Sequence, residues 1–138
     1  MELPVLLLDN AIKRGTILHS DIFEIDHAKF FVVIAVTKDS VVGFFYINSK
    51  VNGNVIRKEE QYKLQYQILP TDYSFLDHAS YIDATTVTPI SKEILVKSIK
   101  DNHTSIKGEL SNKDLEGLLA KLRSSKLYSK HDKERYFF

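Results

Sequence analysis

The stretch Phe30 to Val36, FFVVIAV, is seven residues long and carries no polar group. That is strand length, and its aromatic and β-branched residues favour extended backbone. Side chains alternate across a strand, so an unbroken apolar run presents apolar groups to both faces of its sheet. Both faces must then be covered. Lys38-Asp39-Ser40 follows as a turn, and Val41 to Ile47 returns beside the run to complete a hairpin. Gly43 inside the return strand points to a bulge or bend, as at a barrel corner. Lys29 stands at the entrance of the hairpin, and Asn48 and Ser49 stand at its exit.

The rest of the chain has to supply the cover. Its 138 residues suit one ordinary domain, and 43% hydrophobic with 27% charged residues is globular composition. Strands come first and helices late, with no internal repeat. This order predicts an α+β domain or a decorated small β-barrel rather than a parallel βαβ sheet. A turn at Lys13-Arg14-Gly15 leads into a first strand, Thr16 to Ile25. Asn52-Gly53-Asn54 is a strong turn signal. Tyr62 to Leu69 alternates, with Tyr62, Leu64, Tyr66 and Ile68 on one face, and predicts a strand with one wet face. Ser80 to Ala84 and Thr86 to Thr88 read as short strands stopped by Pro89.

Ser91 is placed to cap a helix running to about Lys100, and Asn102-His103-Thr104 breaks it. Ser111 with Asp114 fits a capping box, followed by Leu115, Leu118, Leu119 and Leu122 on one helical face. These elements predict one domain over residues 1–123 and a basic, aromatic tail over 124–138. From Lys121 to the end there are six basic and two acidic groups, net +4, while the chain as a whole carries +1. With Tyr128, Tyr136, Phe137 and Phe138, such a tail either follows a polyanion or forms a solvated helix whose aromatics fold back on the core.

Several function classes drop out. There is no cysteine, which excludes disulfides and thiolate chemistry. No phosphate-binding glycine loop, nucleophile elbow or dinucleotide fingerprint is present. His19, Asp21, Glu24 and Asp26 have no recognised metal-ligand spacing, so no metal or other cofactor is expected. The apolar run Pro4 to Leu8 is too short for a signal peptide or a membrane span, and the expectation is a soluble, cytoplasmic chain.

The order of motifs resembles the MazF/PemK/Kid toxins of toxin–antitoxin pairs. Gly15-Thr16-Ile17 matches their Gly-Asp-Ile-like opening, and Phe30-Phe31-Val32-Val33-Ile34 matches their second strand. Ser80 to Ile90 (SYIDATTVTPI) and Gly108 to Leu115 (GELSNKDL) match their late signature. The likeness covers roughly Gly15 to Arg123. It implies a small SH3-like β-barrel with a short helix and a C-terminal helix. It also implies a homodimer, a small antitoxin partner, and metal-independent cleavage of single-stranded RNA.

Carried over by position, Lys29 takes the place of the family's arginine before the second strand, and Phe30 replaces the proline after it. Ser49, with Asn48 beside it, takes the place of the threonine after the third strand. Guanidinium makes planar two-pronged bonds to phosphate, whereas lysine is a flexible point charge whose pKa moves when it is buried. Lys29 would stabilise a phosphorane or donate a proton, and Ser49 or Asn48 would hold a non-bridging oxygen. His27, two residues from Lys29 on an extended chain, is the candidate acid–base partner. Lys50, Tyr73, His78 and Ser80 are candidate RNA-binding residues, with Tyr73 stacking on a base. Asp77 and His78 otherwise read as a polar loop. The alternative to an endoribonuclease is a non-enzymatic RNA- or protein-binding module on the same barrel.

Overall fold

The computed structural model describes residues 8, 10–22, 28–45, 47–48 and 59–138. Among the described residues, eight strands form two antiparallel sheets. The larger has the order β7-β3-β2-β1-β8 and the smaller β4-β6-β5. The strands are β1 (Thr16–Ser20), β2 (Lys29–Val36), β3 (Ser40–Phe45), β4 (Ile47–Asn48), β5 (Gln65–Ile68), β6 (Ser80–Asp83), β7 (Thr88–Ser91) and β8 (Thr104–Glu109). The helices are α1 (Glu59–Tyr62), α2 (Lys92–Lys100), α3 (Asn112–Ser124) and α4 (Lys130–Tyr136). The fold is α+β, and among the described strands no ladder joins the two sheets into a closed barrel. No helix among the described residues is long and apolar enough to cross a membrane.

The apolar run forms β2, at the centre of the larger sheet, and is covered on both faces as its composition demands. Phe31 and Val33 pack on one side with Leu8, Ile12, Leu18, Val41, Ile90 and Leu95. Val32, Ile34 and Ala35 pack on the other with the smaller sheet, the α3 leucines and Phe137. Ile34 and Ala35 share a face because the β2–β3 register shifts between Val33 and Ala35. The bulge lies opposite Gly43. A Cβ on that glycine would sit 2.0 Å from the Val32 carbonyl oxygen, so only glycine allows the strands to approach there.

α3 follows its sequence signature. The Ser111 side chain accepts a hydrogen bond from the Asp114 N–H, and Leu118, Leu119 and Leu122 are buried. The tail is part of the same body. Phe137, after α4, is fully buried in the main core, and Tyr128 packs edge-on against it at 5.0 Å. Arg14 Nη2 donates to the backbone oxygens of Tyr136 and Phe138, and Arg123 Nε to that of Phe137. Of the two arrangements open for the tail, Tyr128, Tyr136 and Phe137 fold back on the core, while Phe138 stays exposed.

Three expectations need correction, and one strand was unforeseen. The first strand ends at Ser20, and 23–27 lie outside the described residues. Tyr62 closes the short helix α1 and is exposed, so the strand that follows is only Gln65–Ile68. Pro89 lies within β7 rather than ending a strand. β7 is a sheet edge, and an edge tolerates a residue that cannot donate. β8 was not anticipated at all. It pairs with β1 through a bulge at Lys107, between the pairs Ile17↔Gly108 and Leu18↔Ile106. The expected turn at Asn52-Gly53-Asn54 lies outside the described residues.

Candidate functional site

Antiparallel pairing gathers candidate residues at one end of the larger sheet. β2 and β8 begin there, and β1 and β3 end there, with Ser20 paired to both Lys29 and Thr104. Lys29 opens β2 and is half-buried. Asn48 lies in β4, paired with Tyr81 of β6, and β4 lies against β2. The two ends of the hairpin therefore meet at one end of the molecule. Ser49, Lys50 and His27 lie outside the described residues.

The loop at 69–79 docks on the same end. The Phe75 ring lies 5.0 Å from Phe30, and Phe30 lies 4.8 Å from His19 across the β1–β2 pair. All three rings are half-buried. His78 is exposed on this loop, but Ser80 is 3% exposed and its Oγ donates to the His78 carbonyl. Tyr73 is 6% exposed and belongs to the core, so it offers no face to a base; the expected stacking role does not fit its place.

Tyr73 instead anchors the loop. Its hydroxyl donates to Asp114 Oδ2 at 2.5 Å and accepts from the Ser111 N–H at 3.0 Å. Asp114 also accepts from the Tyr66 hydroxyl at 2.9 Å. Burial first, and the Asp114 carboxylate second, push the Tyr66 phenol up to about 12 and raise that of Tyr73. A phenol in such a place stays protonated and serves as a tie. The chain Asp114–Tyr73–Phe75–Phe30 thus links the start of α3 to the entrance of β2.

A second polar group lies at the open end of the β1–β8 ladder. Asp21 N donates to the His103 carbonyl at 3.0 Å, extending the ladder by one pair. The Nδ1 of His103 meets Asp21 Oδ1 at 2.9 Å. These side chains are 56% and 46% exposed, so the pair faces solvent. His103 is held from behind as well, since its N–H donates to the Ser98 carbonyl at 2.8 Å. His19 shares the face of Asp21, two residues along the strand. Burial and the positive charge of Lys107 hold its imidazole below the ordinary value of 6.5, with Asp21 opposing them. On the other face, Ser20, Thr104 and Ser98 form a buried hydroxyl chain at 2.8 and 2.9 Å.

His19 and Asp21 were visible in the sequence only as remote metal candidates, and His103 only as a helix breaker. Nothing local marks the pairing, because Asp21 and His103 are 82 residues apart. Among the described residues, no three His, Asp or Glu side chains are grouped to hold a metal ion. Leu8, Ile12, Val96, Ile99 and Ile106 line a groove on the opposite face of the sheet; it is apolar and offers packing rather than chemistry. No family model matches the chain, and no curated protein matches it.

Proposed function

We propose that the chain is a metal-independent endoribonuclease acting on single-stranded RNA, in the manner of the MazF/PemK toxins, with its site at the Lys29 end of the larger sheet. The observation that carries this reading is the convergence there of the β2 entrance, β4 and the 69–79 loop, fastened by the Phe30–Phe75 contact. The half-exposed rings of Phe30 and Phe75 suit an unpaired base, and Lys29 precedes Phe30 at the entrance of β2. The passage of the chain from β3 in one sheet to β4 in the other, around one core, supports an SH3-like barrel in opened form.

In this reading Lys29 neutralises charge developing on the phosphate, and Asn48 with Ser49 holds a non-bridging oxygen. A small antitoxin competes for the same surface, and two copies of the chain associate. The test is inducible expression of wild type beside Lys29→Ala, with total RNA resolved for cleavage products. The expected result is growth arrest with discrete RNA fragments, relieved by the substitution. Harmless expression and intact RNA, with purified protein that still binds RNA in a salt-dependent way, would leave the binding module in its place.

A further inference from the structure

Building on the RNA-cleaving reading above, we infer that His19 and His103 are the acid–base pair of the reaction and that Asp21 orients His103. Three geometric facts converge on this. His19 and Asp21 project to one face of β1, and their cross-strand partners Ser105 and His103 join them there. His19 and His103 are therefore diagonal neighbours, a relation that sets their backbones roughly 7–8 Å apart. That gap admits a phosphodiester between two imidazoles. The backbone of His103 is fixed on both sides, by Asp21 N and Ser98 O, so the ring is held on a rigid support.

The surroundings assign the roles. His19 lies against Phe30 and faces Lys107 of β8, which favours its neutral, proton-accepting form. His103 meets the Asp21 carboxylate through Nδ1, which orients the ring and leaves Nε2 as the nitrogen for the substrate. Among the described residues, Asp21 bonds His103, and Lys107 and Asp21 lie within electrostatic reach of His19. Phe30 and Phe75 form an apolar floor on which a base rests.

The reaction then balances without a cofactor. The ribose 2′-hydroxyl gives its proton to the free nitrogen of His19 as its oxygen attacks phosphorus. The bond from phosphorus to the 5′ oxygen breaks, and that oxygen takes the proton from Nε2 of His103. The products are a 2′,3′-cyclic phosphate and a 5′-hydroxyl. His19 has gained one proton and His103 has lost one, and exchange with water resets the pair.

The experiment uses the full chain, mixed-sequence single-stranded RNA and a chelator. His19→Gln and His103→Gln should each slow cleavage by about 10²–10⁴-fold. Both should stay folded, with melting temperatures near that of wild type, and should still bind a 2′-O-methyl strand, which cannot be cleaved. Wild-type activity should rise with pH as His19, held below the ordinary histidine value, loses its proton, and His19→Gln should flatten that limb. Asp21→Asn should cost less, and Asp21→Glu should restore most of the loss, which a merely structural role would not produce. If both glutamine variants cleave as fast as wild type while Lys29→Ala does not, the pair is wrong and the RNA reading stands. If the wild type cleaves no RNA, both fall.

Discussion

Two carboxylates in this molecule each sit between two titratable rings, and they do opposite work. Asp114 is 8% exposed and takes the hydroxyls of Tyr66 and Tyr73, while its own N–H is capped by Ser111. Every bonding group there is spent on another part of the fold. Asp21 is about half exposed, binds one nitrogen of His103 and lies within electrostatic reach of His19. Ring nitrogens there remain available to a ligand. The contrast shows that a cluster of ionisable groups is not a site by composition alone. What separates the two is burial and unspent bonding capacity.

Substitutions should separate them in both stability and activity. The largest stability loss falls on Asp114→Ala, which leaves two phenols without their acceptor. About 3 kcal/mol or more should be lost, read by denaturant unfolding, since hydrogen bonds to charged groups contribute about 1.5–3 kcal/mol each. The same treatment of Asp21, as Asp21→Asn, should shift stability by less than about 1 kcal/mol, because exposed ion pairs contribute little. If Asp21→Asn unfolded the protein as readily, the contrast would be lost.

A smaller effect sharpens the buried side. A methyl at Gly117 of α3 would lie 2.6 Å from the Tyr66 hydroxyl. Gly117→Ala should therefore destabilise the protein by displacing Tyr66 from Asp114, although alanine favours helix by about 1 kcal/mol. In a Tyr66→Ala background the sign should reverse, and the substitution should stabilise. Thermal melts of the four variants in a cycle decide this.

The two clusters should also differ in pH dependence. The folded-state pKa of Tyr66 is raised from 10.0 to about 12. Its contribution is then fully present below pH 10 and lost as pH rises towards 12. Tyr66→Phe should flatten part of that alkaline decline in melting temperature. His19 is shifted the other way, below 6.5, so its small contribution is present above 6.5 and lost as pH falls. His19→Gln should flatten only the acid side, and by the smallest amount of any variant considered.

How much of this was legible in the chain follows the range of each signal. The run Phe30 to Val36 announced a strand covered on both faces, and Ser111 with Asp114 announced the start of α3, because both signals are local. β8 was hidden for a physical reason. Its sequence TSIKGE has no clean alternation, its register slips at Lys107, and as an edge strand it needs little apolar surface. Tyr73 was misjudged because an aromatic residue in a polar loop looks exposed until its acceptor, 41 residues on, is known. Lys29 and Asn48 were recognisable as the ends of one hairpin. The Asp21–His103 pair was not, since it forms only when β8 closes on β1.

The central claim is that the open end of the larger sheet, and not the buried Asp114 cluster, meets the nucleic acid. The most direct measurement follows ring resonances of the histidines and tyrosines by NMR while a 2′-O-methyl RNA strand is titrated into the full chain. The account predicts saturable shifts at His19 and His103 with the Tyr66 and Tyr73 rings unmoved. Shifts at Tyr66 and Tyr73 with both histidines silent would contradict it.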